Sequence, residues 1–152
     1  MCSHDVLYEL RQEEVLGGRP SEGGLLTRLS RYLIEQRHFL PVFPPTARGN
    51  LPKSGVEGGL ATGAMLDTSY LKLGEWWNVR PDVLITPSIL PPFVKVIDGV
   101  LVINPGTLSK RKAAGSFAQM TLHPRTLTEE EMNVKQVGHK VYERARVDVI
   151  RI

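Results

Sequence analysis

The chain has 152 residues, 41% of them hydrophobic and 23% charged, the proportions of one ordinary globular domain and not of a disordered or membrane-embedded chain. No apolar run approaches the roughly 20 residues that span a bilayer, and Met1-Cys2-Ser3-His4-Asp5 lacks the basic-then-apolar pattern of a signal peptide. One cysteine, Cys2, excludes an internal disulfide framework and suits a reducing compartment, and a net charge of +3 spread over 19 basic and 16 acidic residues forms no segregated basic face.

Residues 3–16 read as a short helix, with Ser3 or Asp5 as its cap and Val6, Leu7, Leu10 and Val15 at helical spacing. Gly17-Gly18-Arg19-Pro20 ends it. A second helix is predicted from about Glu22 to His38, capped by Ser21. Leu25, Leu26, Leu29 and Leu33 form its apolar stripe, while Arg28, Arg31, Glu35 and Arg37 face water. From Pro41 to Ala64 prolines and glycines dominate, which predicts a long surface loop.

The second half reads as strands. Val83-Leu84-Ile85 is a short run of β-formers bracketed by Pro81 and Pro87. Phe93–Ile97 and Val100–Ile103 flank Asp98-Gly99, a strong hairpin signal. Val100 to Ile103 are consecutively apolar, so that strand is expected to be buried on both faces. Phe117, Met120 and Leu122 mark a further strand, and Val141–Ile152 alternates as an outer one should. Thr128-Glu129-Glu130-Glu131 has the spacing of a capping box, or is simply an acidic loop. Helices followed by clustered strands predict a mixed α/β fold. Two modest helices cannot cover both faces of the buried strand. Either the tail folds back onto it or the chain is a piece of something larger.

Few residues are arranged for chemistry. Ser3-His4-Asp5 are contiguous at a helix start and point apart, which suits a cap and not a hydrolytic triad. The histidines His4, His38, His123 and His139 form no His-x-His pair and no helix-spaced pair, so no metal-ligand pattern arises from them. Phosphate-cradling glycine motifs and nucleophile elbows are missing as well. Asn104-Pro105-Gly106-Thr107 follows the buried strand and reads as a tight structural turn; the functional alternative places it at the rim of a ligand site. Trp76-Trp77 is either packing, a protein contact, or a platform for stacked bases. Lys110-Arg111-Lys112, beside Ser109, is either a solvated loop or a phosphate contact or localisation signal.

Several segments together carry a family resemblance. They are Pro81-Asp82-Val83-Leu84-Ile85-Thr86-Pro87-Ser88, Phe93-Val94-Lys95, Val102-Ile103-Asn104-Pro105-Gly106-Thr107-Leu108-Ser109-Lys110, Gly115-Ser116-Phe117-Ala118 and the closing Val149-Ile150-Arg151-Ile152. In this order they resemble the end of the accessory B subunits of DNA polymerase alpha–primase, and Asp5, Leu7, Glu13-Glu14 and Gln36-Arg37 upstream fit the same pattern. The resemblance implies the carboxy-terminal part of a calcineurin-like phosphoesterase fold, a layered β-sandwich with flanking helices, spanning residues 1–152 with its long loop at about 41–64. Active phosphoesterases of that type end a late strand in Gly-His-x-His. Here the corresponding strand ends in Thr86-Pro87-Ser88, while the Asn104-Pro105-Gly106 turn is kept.

The implied protein is therefore a non-catalytic scaffold without cofactor or metal, nuclear, that tethers the polymerase catalytic subunit through its carboxy-terminal region and contacts primase. Trp76, Trp77 and the long loop are its candidate interface. The alternative is a fragment of a metal-dependent phosphoesterase, and a third reading is DNA contact through Lys110, Arg111 and Lys112, with steep salt dependence. The resemblance also implies that the family's helical domain, its oligonucleotide-binding-type domain and the first half of its phosphoesterase-like domain are absent, as in a truncated product, a fragment or a chain that needs a partner. Such a chain is expected to expose apolar sheet surface and to be marginal alone.

Overall fold

The computed structural model describes residues 5–18, 23–42, 68–75, 79–110 and 113–152. The chain divides into two compact units, one running to Val79 and one from Arg80 to Ile152. The architecture is mixed α/β, with a three-stranded sheet and two two-stranded ones among the described residues. No described helix is long and apolar enough to cross a membrane.

The first unit carries helix α1 (Val6–Glu13), helix α2 (Leu25–Gln36) and a 3-10 segment (Thr68–Gly74). Of the two caps open in the sequence, Asp5 is the one seen: its carboxylate accepts from the Tyr8 amide at 3.0 Å. Ser3 and Ser21 lie outside the described residues. α1 ends earlier than its apolar spacing suggests. Glu14 turns to extended backbone (φ −65°, ψ 117°) as its carboxylate reaches the second helix, and Val15 is left 93% exposed instead of continuing the stripe.

α2 is also shorter than expected, because Arg37 adopts the left-handed conformation (φ 53°) and donates its amide to the Leu33 carbonyl. Beyond it His38 is extended and bridges to Glu75. Leu29, Leu33 and Ile34 form the buried face. Ser30 is buried with them and satisfies its hydroxyl by donating to the Leu26 carbonyl at 2.8 Å. Arg28 does not face water; its side chain is largely covered by an ion pair with Glu14. Most of the 41–64 loop falls outside the described residues.

The second unit is built on strands β1 (Val83–Ile85), β2 (Phe93–Ile97) and β3 (Val100–Asn104) in the order β1-β3-β2. β1 runs parallel to β3 and β2 antiparallel. Asp98 and Gly99 both have positive φ (51° and 80°), the signature of a type I′ turn whose twist matches a two-residue hairpin. β3 is buried along its whole length, as its apolar run predicts. On one face Leu101 and Ile103 pack with Val141, joined by Val83, Ile85, Val94, Ala118, Tyr142, Ala145 and Val147. The tail does fold back: helix α4 (Val141–Arg144) and strand β7 (Ala145–Arg151) provide this cover. Leu84, Val100, Val102, Phe93 and Ile97 lie on the opposite face and are also buried.

Between β3 and the tail come the short pair β4 (Ser109–Lys110) and β5 (Ala113–Ala114), then β6 (Ser116–Leu122) and helix α3 (Glu129–Met132). β6 pairs antiparallel with β7, Phe117 opposite Ile150 and Ala118 opposite Val149. The strand through Phe117, Met120 and Leu122 is present, yet those three side chains are partly exposed and Ala118 is the one that joins the core. Both halves of the capping box form: Thr128 accepts from the Glu131 amide, and the Glu131 carboxylate accepts from the Thr128 amide.

Candidate functional site

The sequence motifs of the second unit meet at one end of its three-stranded sheet. β3 ends in Asn104, fully buried, where the chain must turn away from the sheet. A primary amide has two donor hydrogens and a carbonyl that accepts twice, and Asn104 uses all four. Its Oδ1 accepts from the Ser88 amide at 3.0 Å and from the Gly106 amide at 2.9 Å. Its Nδ2 donates to the carbonyls of Leu90 and Pro91 at 3.1 and 3.2 Å. One side chain thus ties the loop between β1 and β2 to the turn after β3.

The Gly115-Ser116-Phe117-Ala118 motif closes onto the same turn. Ser116 donates its hydroxyl to the Pro105 carbonyl at 2.7 Å and its amide to the Thr107 carbonyl at 2.9 Å. A Cβ at Gly106, which has φ 78°, would come within 2.5 Å of the Ser116 hydroxyl and 2.9 Å of Pro92. A Cβ at Gly115 would overlap the carbonyls of Leu108 and Thr107. The chain passes so close to itself here that only a hydrogen fits. These contacts make the turn a neutral clasp assembled from an amide, a hydroxyl and backbone.

Thr86 completes the loop after β1. It is 1% exposed, and its Oγ1 is the buried side-chain polar atom without a hydrogen-bond partner among the described residues. No group of three or more His, Cys, Asp or Glu side chains converges among the described residues. His38 lies in the first unit, where its Nδ1 accepts from the Leu40 amide at 2.9 Å. His123 and His139 are exposed in the second, and His4 lies outside the described residues. What the clasp does chemically is to hold three chain segments together.

Lys110 lies in β4, whereas Arg111 and Lys112, like Trp76 and Trp77, fall outside the described residues. Two arrangements escaped sequence reasoning. In the first unit Glu14 accepts from Arg28 through both carboxylate oxygens (2.9 and 3.1 Å) and from the Tyr32 hydroxyl at 3.2 Å. The Arg28 hydrogen bonds hold the Glu14 carboxyl below its ordinary range, against a smaller opposing effect of burial, and the pairing raises Arg28. In the second unit Arg125, Arg144 and Lys140 line a groove of about 360 Å³ with Glu131 and Glu143. Their charges are committed: Arg125 to Glu131 and the Gly138 carbonyl, Arg144 to the carbonyls of His123 and His139, and Lys140 to Glu143. The two arginines of this groove brace the loop.

Residues 1–95 match the family model for the B subunit of DNA polymerase alpha/epsilon. The whole chain is similar to the DNA polymerase alpha B subunit of Schizosaccharomyces pombe, at 35% identity over 152 residues, covering 24% of that relative. The corresponding protein of Saccharomyces cerevisiae is 32% identical over 171 residues, with 98% of this chain and 24% of the relative covered. That of Mus musculus is 31% identical over 125 residues, with 80% and 18% covered. The match spans about a quarter of the length of the yeast relatives. The chain belongs to the family of DNA polymerase alpha/epsilon B subunits.

Proposed function

We propose that the chain serves DNA replication as the carboxy-terminal part of a non-catalytic accessory subunit of DNA polymerase alpha, acting in the nucleus as a scaffold. Its partners are the catalytic subunit, through that subunit's carboxy-terminal region, and the primase complex. The observation that carries this reading is the 35% identity to the DNA polymerase alpha B subunit across the full chain. The clasp supports it from the physical side. The Asn104-Pro105-Gly106 turn corresponds, on this reading, to the turn that follows the ligand strand of a calcineurin-like phosphoesterase, and what supports a structural role for it is that the Asn104 amide is wholly occupied by chain segments. On this reading the fold is a portion of such a layered sandwich, residues 1–152 forming one region of it, and the turn is kept for its structural work. Trp76 and Trp77 serve as partner contacts, and Lys110, Arg111 and Lys112 meet phosphate.

The test is co-purification of the tagged chain with the polymerase alpha catalytic subunit, together with a metal-dependent phosphatase assay on the same preparation. A complex without turnover is the expected result. Metal-dependent turnover that tracks the protein through purification overturns the scaffold reading in favour of a phosphoesterase fragment.

A further inference from the structure

The connection between β6 and α4, residues 123–140, contains the short helix α3 and is braced by hydrogen bonds at several points. Its base is closed by the His123 amide donating to the Arg144 carbonyl at 2.9 Å and by Arg144 donating back to the His123 carbonyl at 2.7 Å. Arg125 braces the interior, bonded to the Gly138 carbonyl and to Glu131. The capping box fixes the start of α3, and Asn133 donates to the Glu129 carbonyl at 3.0 Å to close its end.

What the braces hold outward is apolar. Leu127, Met132 and Val134 are 40%, 65% and 59% exposed within eight residues, in a loop where polar residues are the norm. A single exposed apolar side chain needs no explanation, but three held out on one braced segment do. Methionine adapts its shape to a partner surface. The ordering that docking would otherwise require is already done by the braces. Glu129 and Glu130 lie beside Met132, both exposed and without an ion pair among the described residues, and they outnumber Lys135, the single basic residue of 127–135. Those carboxylates repel nucleic-acid phosphate and anionic lipid, which leaves a protein whose charge complements them.

We infer that residues 127–134 form a docking knuckle that inserts Leu127, Met132 and Val134 into an apolar groove rimmed by lysine or arginine on a protein partner. This rests on the proposed function, which makes that partner a component of the polymerase alpha assembly.

The test is a binding titration of the chain against the polymerase alpha catalytic subunit assembled with primase. Three proteins are compared: the unaltered chain, the pair Met132→Asp with Val134→Asp, and the pair Glu129→Gln with Glu130→Gln. All four side chains are exposed, so matching thermal melts verify that the variants remain folded. The apolar pair should weaken binding by about tenfold. The acidic pair should weaken it by about threefold and flatten its salt dependence. If the unaltered chain binds and both variants bind equally well, the knuckle is wrong and the proposed function stands. No binding by the unaltered chain overturns both. If instead the Met132→Asp and Val134→Asp pair abolishes self-association in sedimentation, the occupant is a second copy of this chain and the inference falls.

Discussion

In the first unit the joint between α1 and α2 is ionic, a carboxylate gripped by a guanidinium and a phenol, whereas in the second the end of the three-stranded sheet is tied by an uncharged amide. Glu14 and Asn104 do comparable work, Glu14 reaching 14 and 18 residues along the sequence and Asn104 13 to 16. Their dependence on surroundings is opposite. A paired carboxylate responds to protons and salt. A buried primary amide responds to neither, and its four bonds stay satisfied wherever the fold persists. The charged joint lies among partly covered groups, while the neutral one is fully buried, as the cost of taking charge out of water requires.

The largest test of the neutral clasp is steric. Gly115→Ala places a methyl group on the Leu108 carbonyl and should destabilise the second unit by about 4 kcal/mol, read by urea unfolding. Next comes Asn104→Ala. It strands the Ser88 and Gly106 amides in a buried site and should cost about 3 kcal/mol by the same measurement. Asn104→Asp sharpens the comparison further: a carboxylate cannot donate to Leu90 and Pro91, so the variant should be destabilised in urea unfolding, and by more as pH rises and the introduced buried carboxyl ionises. Gly99→Ala, at φ 80° in the hairpin turn, should cost about 1 kcal/mol.

The smallest effect belongs to the ionic joint. The folded-state pKa of Glu14 is depressed below its ordinary value of 4.5. Its contribution is therefore fully present above that value and is lost as pH falls through the folded-state pKa. Amide protection in α1 and α2 should decline on acidification below pH 4.5, and Glu14→Gln should remove most of that decline. Equal acid sensitivity in the variant would break the comparison.

The parts of the fold legible in the sequence are those fixed by neighbours along the chain. Asp98-Gly99 announced its hairpin because two positive φ angles admit few residues, and Thr128 with Glu131 announced a cap through side chains three residues apart. The continuous apolar run of β3 likewise showed burial on both faces. The end of α1 was not legible, because its stop is set by Arg28 and Tyr32 on another helix and not by the glycines at 17 and 18. The same distant partner turned Arg28 from an expected solvent-facing residue into a covered one. Asn104 was legible as a turn residue, but its role as a four-bond hub depends on Ser88, Leu90 and Pro91 from an earlier loop. Strand spacing located β6, yet gave no sign that Ala118, the smallest of its apolar residues, would be the one taken into the core.

The closeness of the two turn motifs makes them one thermodynamic unit. Ser116 bonds the carbonyl of Pro105, and the space beside Gly106 is filled by the Ser116 hydroxyl. Substitutions at Asn104 and Ser116 should therefore be non-additive in a double-mutant cycle, the second costing less once the first has released the turn. Separated by eleven positions in sequence, the two stretches can change without loss only together, so each limits how far the other can drift.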